Sequence, residues 1–136
     1  MNSHIEILKD VANRVYEQLK TGHNERIYHK AFVYELNCLG YNYDTEMNII
    51  VKYIDSKGAS HNLETERIDI FIHDHNIIIE LKAIQKEIQN QEKAQLEKYI
   101  NELNKINITV KHAILINFPQ PNNKNIPSSI EFYIKY

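Results

Sequence analysis

The sequence is poor in the residues that staple or punctuate small folds: of 136 residues, 1 is cysteine, 3 are glycine and 3 are proline. With Cys38 alone there is no disulfide framework and no cysteine-ligated zinc site. Its neighbours make Cys38 an expected buried helix residue, not a nucleophile. No glycine-rich phosphate or dinucleotide loop occurs, and no Ser/His/Asp arrangement suggests acyl transfer. Long apolar runs are missing too. None approaches the length that spans a bilayer, and the N-terminus has no signal-peptide pattern. The expectation is a soluble, cytoplasmic protein with no membrane partner. An excess of one charge is also lacking: 16 Lys and Arg stand against 18 Asp and Glu, a formal net charge of −2. Bulk charge therefore gives no nucleic-acid signature, although a cation bound at an acidic site would offset the deficit.

What is present is enough for one substantial core. Apolar residues make up 43% of the chain, an ordinary share for a globular protein, so residues 1–136 read as a single domain. Ile5, Leu8, Ala12, Val15 and Leu19 recur at helical spacing, which predicts a helix from Ser3 to about Lys20. Ser3 and Glu6 would form its capping box, and Gly22 would sit just past its end. Asn24 can cap a second helix reaching Leu39 and closed by Gly40. Its stripe is Glu25, Tyr28, Phe32, Leu36 and Leu39. Glu25 at the head of a core stripe is either a partner for the helix dipole or an acid aimed at a site. A strand is expected over Met47–Ile54, a turn over Asp55–Gly58, and a second strand from Leu63. After a polar stretch, Gln89–Ile106 reads as a helix with Leu96, Tyr99, Ile100, Leu103 and Ile106 inward. Ile108–Phe118 is apolar at its centre, as a strand covered on both faces would be. Pro119–Pro127 is loop, and Ile130–Tyr136 alternates as a last edge strand.

The stretch from Arg67 to Lys82 departs from this plain patterning. It reads as two apolar strands joined by His73-Asp74-His75-Asn76, yet Asp69, Glu80 and Lys82 interrupt it. Charges within apolar strands need partners, because an uncompensated buried carboxylate costs several kcal/mol. Alternation puts Glu80 and Lys82 on one face, and Arg67, Asp69 and Phe71 on one face. With the turn centred between Asp74 and His75, His73 faces Asn76 and Asp69 faces Glu80. Opposed β-carbons lie about 4.5–5.5 Å apart. Two carboxylates so close repel unless a proton or a cation lies between them. A hard divalent ion takes oxygen ligands and commonly sits on one or two carboxylates plus waters. Lys82 would border that ion and orient or activate a water. The competing reading is a buried salt-bridge cluster, with Arg67 balancing the second acid. His73 shares the face of Asp69, but beside His75 in a polar turn it is expected in solvent.

Five motifs taken in order resemble the GxxExxY proteins: Gly22-His-Asn-Glu25-Arg-Ile-Tyr28, Arg67-Ile-Asp69, Ile79-Glu80-Leu-Lys82-Ala83, Gln95-Leu96 with Tyr99, and Leu115-Ile-Asn-Phe118. The loop before Glu25 departs from the family by lacking its Gly-Pro-Gly-Phe run. That family is similar to the PD-(D/E)xK nucleases, whose restriction-endonuclease-like α/β core is a mixed sheet flanked by helices. The resemblance implies Asp69 as the signature aspartate and Glu80 and Lys82 as its E-x-K. It also implies Glu25 as a helix-borne acid completing a metal site. Gln95 and Tyr99 match the Q-x-x-x-Y element of RecB- and Cas4-type nucleases. The implied function is a Mg²⁺- or Mn²⁺-dependent nuclease, acting on DNA more than RNA. Asp69, Glu80, Glu25 and the carbonyl of Leu81 would then hold the metal, while Lys82, Gln95 and Tyr99 complete the catalytic set. The alternative is a catalytically silent binding or interaction module on the same fold. With no basic face in the composition, a homodimer or a partner subunit could contact the nucleic acid.

Overall fold

The apolar spacing of residues 5–19 becomes the inner face of α1 (Ser3–Leu19), where Ile5, Leu8, Val11, Ala12 and Val15 are buried. The computed structural model describes residues 3–124 and 129–136. The cap assigned to Ser3 lies outside the described side chains, and the last part of the Pro119–Pro127 loop lies outside the described residues. Lys20 and Gly22 adopt left-handed φ values of 60° and 96°, and the chain reverses into α2 (Glu25–Leu39). Asn24 caps α2 by accepting from the Ile27 N–H, and Gly40 ends it at φ 77°. Tyr28, Phe32 and Leu36 form the buried stripe. Leu39, expected inward, is 51% exposed, because the chain turns away at Gly40. Cys38 is exposed, contrary to expectation. Two residues after Leu36 at about 100° per residue, it falls on the far side of the helix.

Then come β1 (Tyr43–Ile54), β2 (Ser60–Ile72), β3 (Ile77–Lys82), α3 (Asn90–Lys105), β4 (His112–Asn117) and β5 (Glu131–Lys135). The sheet order is β1-β2-β3-β4-β5. β3 and β4 alone run parallel, joined by the α3 crossover, and every other neighbouring pair is antiparallel. β1 and β2 start earlier than their apolar patterns suggest, at Tyr43 and Ser60. There the ladder of a long hairpin holds residues that no core requires. β4 begins later than Ile108, because Asn107 at φ 65° ends the α3 turn. Ile106, in that same exit, is 58% exposed instead of facing the core.

The sheet separates two apolar layers, as expected of an α/β architecture. α1 and α2 cover Ile70, Ile72, Ile77, Ile79, Leu81, Ile114 and Ile116. α3 covers Ile68, Phe71, Ile78, Ala113 and Leu115 on the other side.

One network fixes the start of α2 against the end of β4. The Tyr28 ring stacks on Phe118 with centroids 4.6 Å apart and planes 4° from parallel. Its hydroxyl donates to the Lys20 carbonyl at 2.6 Å and accepts from Gln120 Nε2 at 2.9 Å. Gln120 Oε1 accepts the Gly22 N–H at 2.8 Å, and the Gln120 N–H donates to the Ile84 carbonyl at 3.0 Å. Buried Asn117 accepts the Ile84 N–H at 3.0 Å and donates to the Lys86 carbonyl at 3.3 Å. Glu131 accepts the Ile88 N–H at 2.9 Å. The loop before Glu25 and the segment after Lys82 are therefore tied to one anchor. Tyr28→Phe would keep the stack but leave the Lys20 carbonyl without its donor and Gln120 Nε2 with the Phe118 carbonyl as its remaining acceptor. A loss of about 1–3 kcal/mol in urea unfolding is expected.

Candidate functional site

β2 and β3 pair in the predicted register, but only from Ile70/Ile79 to Ile72/Ile77. At the next position the ladder stops and side chains take over. The Asp69 N–H donates to Glu80 Oε1 at 2.8 Å, and the Leu81 N–H donates to Asp69 Oδ2 at 2.8 Å. Each acid thus satisfies a main-chain donor of the opposite strand. The two carboxyl groups also hydrogen-bond to each other. The break is local to Asp69: Ile68 packs in the α3 layer and Ile70 in the α1/α2 layer, so strict alternation fails between them. On the other side Glu46, at φ 52°, interrupts the β1–β2 ladder between Thr45/Ile70 and Met47/Ile68.

Electrostatics at the pair follow from crowding. Glu80 is only 3% exposed, and burial, then Asp69, hold its carboxyl well above the ordinary value of 4.5. Burial also raises Asp69, opposed by the Leu81 N–H, His29 and Lys82. Glu25 keeps exposed surface at the head of α2, yet desolvation and then Asp69 raise it, while Lys82 lowers it. All three acids therefore feel one another and the same lysine.

Lys82 Nζ donates to Gln95 Oε1 at 3.2 Å, so α3 holds the ammonium from above the sheet. Tyr99, one turn further along α3, is buried, and desolvation followed by Glu80 pushes its phenol strongly up. Leu81 packs its side chain among α1 and α2. Its N–H points at Asp69, and in a strand the carbonyl of a residue leaves on the same edge as its N–H. The Leu81 carbonyl therefore heads into the gap between the parted strands. The expected site residues Asp69, Glu80, Lys82, Glu25, Gln95, Tyr99 and Leu81 are thus gathered at one end of the sheet. His73 is not among them, since its Nε2 lies 2.8 Å from Asp44. Nor is His75 simply in solvent, as its ring stacks on His4 at 3.7 Å. Arg67, offered as a balancing charge, lies 3.6 Å from Glu46 on the exposed hairpin instead. Sequence reasoning missed His29, one turn after Glu25, and the Gln120 anchor. Neither carries a periodic signal.

Among the described residues no three His, Cys, Asp or Glu side chains are gathered as a metal cage. The donors available to a cation are the two carboxylates, the Leu81 carbonyl and water. That all-oxygen, partly hydrated set fits a small hard ion such as Mg²⁺ or Mn²⁺ and does not fit a soft one.

Raised folded-state pKa values mean that the native metal-free protein retains protons the unfolded chain has released. Their stabilisation is complete below the ordinary value of 4.5 and is lost as pH rises through the higher folded-state values. Glu80→Gln removes the repelling charge and can still accept the Asp69 N–H. In EDTA its melting temperature should gain steadily on that of the wild type as pH climbs above 4.5. Parallel curves would contradict the repulsion described here.

The sequence profile of the PD-(D/E)XK nuclease superfamily matches residues 2–128. No curated protein matches the chain. Among solved structures, the fold is similar to the crystal structure of SSO0001, with a TM-score of 0.57 and 17% identity over 98% of this chain and 77% of that one. At such identity the likeness speaks for the fold alone. The profile, in contrast, runs through both strands that carry the acid pair and through the crossover helix that holds Lys82. The chain belongs to the PD-(D/E)XK nuclease superfamily.

Proposed function

We propose that the chain is a metal-dependent nuclease of the GxxExxY type that hydrolyses phosphodiester bonds, in DNA more than in RNA. The observation that carries this reading is the reciprocal clamp of Asp69 and Glu80 with Lys82 beside it. Two acids held together by main-chain donors are poor as a salt bridge but well suited to a cation. Asp69, Glu80 and the Leu81 carbonyl would hold Mg²⁺ or Mn²⁺. When bound, the ion polarises the scissile phosphate and lowers the pKa of a water.

The chain's own groups do the rest. Lys82, steadied by Gln95, orients the attacking water or meets the charge that develops on the phosphate oxygens. Glu25 orients water at the open side of the pair. Tyr99, kept neutral by burial, walls the site beneath Gln95. Residues 1–136 act as one nuclease-like domain in this reading.

A mixed panel of DNA and RNA substrates, incubated with Mg²⁺ or Mn²⁺, tests it. Cleavage should require the metal and vanish in Asp69→Asn. Metal-independent cleavage, or full activity in Asp69→Asn, would sink the assignment. No cleavage of any substrate would favour a silent binding module. Lys82→Met separates chemistry from scaffold: its rate should fall about 10²-fold or more with metal affinity nearly kept. Lys82→Arg should restore little, because a planar guanidinium does not replace a compact ammonium.

A further inference from the structure

α2 turns another side to solvent next to the acid pair. Arg26, His29 and Lys30 follow Glu25 at spacings that share one helical side, and Tyr34 continues that side one turn on. With Thr45 and Glu46 of β1 they line a cleft of about 480 Å³. Thr45 pairs with Ile70, directly after Asp69, so the cleft adjoins the site. His29 is near enough to Asp69 to pull its carboxyl down.

The cleft carries cations that no neighbouring carboxylate neutralises. Lys9, Arg14, Arg67, Lys98, Lys105 and Lys135 each lie within 4.0 Å of a carboxylate. Among the described residues Arg26 and Lys30 have no such partner, a state they share with other lysines such as Lys52 and Lys111. What sets them apart is their place beside the site and beside Tyr34. Glu46, the cleft's one acid, is engaged by Arg67 at 3.6 Å. Tyr34 is 70% exposed, the highest value among the large apolar side chains described. A chain of net charge −2 thus keeps unpaired cations and a bare aromatic ring together, beside its acid cluster.

Unpaired cations that track a phosphate backbone, alternating with aromatic rings that stack on bases, form the physical signature of single-strand binding. A duplex cannot use the ring in this way, because its bases are already stacked inside. We propose that the Arg26–Tyr34 side of α2 is a subsite for single-stranded nucleic acid, with Arg26 and Lys30 on phosphates and Tyr34 stacked on an unpaired base. This rests on the nuclease reading and deepens it: the substrate is an unpaired strand or a frayed end entering past His29. Residues 26 to 34 span about 12 Å of helix axis, so the contacts fall on neighbouring nucleotides.

Binding is measured on the Asp69→Asn protein in EDTA, so that no turnover intervenes. Fluorescence anisotropy with a labelled oligothymidylate and a labelled hairpin duplex of equal length gives affinities across a salt series. The oligothymidylate should bind more tightly than the hairpin. Adding Tyr34→Ala should weaken it about tenfold with an unchanged salt slope. Adding Arg26→Gln with Lys30→Gln should reduce the logarithmic salt slope by about 1.4, roughly 0.7 for each lost phosphate contact. No binding to oligothymidylate, a preference for the hairpin, or unchanged affinity and slope in these variants would overturn the proposal. The nuclease reading fails separately, on metal-dependent cleavage by the wild type. Binding with the expected pattern but without cleavage would leave the subsite standing alone.

Discussion

β2 and β3 are hydrogen-bonded for three residue pairs and then part at Asp69 and Glu80, and the rest of the site depends on what bridges the parting. The N–H that each strand no longer gives to the ladder is taken by the other strand's carboxylate. A buried donor left unmade costs about 1–3 kcal/mol, so the acids stay in place even though they repel each other. Backbone hydrogen bonding, not charge neutrality, sets their position. Neither side chain can swing away to relieve the repulsion without orphaning a main-chain donor. The pair is therefore preorganised, and in the proposed reading a cation taken up by the two carboxylates would remove an existing penalty instead of assembling a new site.

The second support comes from α3 and from the β4 exit. α3 crosses over between the parallel strands β3 and β4 and brings Gln95 to Lys82, which keeps the ammonium over the acid pair. At the end of β4 and just beyond it, Asn117 and Gln120 bind the segment after Lys82 and the loop before Glu25. The parallel stack of Tyr28 on Phe118 closes this anchor. The glycine and tyrosine of the Gly22–Tyr28 motif therefore serve the placement of Glu25, as main-chain donor and as wedge, without entering the site themselves.

The hairpin register was legible because a four-residue polar turn lies between strongly apolar strands, and a shift by one residue would have turned their core faces outward. Asp69, Glu80 and Lys82 stood out for the same reason: charges within apolar strands demand a partner. The central strand β4 was legible from its unbroken apolar middle. Other features left no local trace. Gln120 meets Gly22 across 98 residues, and polar contacts of that range carry no periodicity. Cys38, Leu39 and Ile106 were misjudged where helices end, since an apolar stripe does not say at which turn the core stops. The divergence at Asp69 was also invisible, because alternation assumes a ladder that continues. Arg67 and His73 found partners on β1, in the part of that strand that the pattern left out by placing its start too late.

The Asp69–Glu80 pair as the seat of a divalent cation is tested most directly by calorimetric titration with Mn²⁺. Wild-type protein should bind the ion at one saturable site, and Glu80→Gln should lose that binding while remaining folded. Equal affinity in the two proteins would contradict the account.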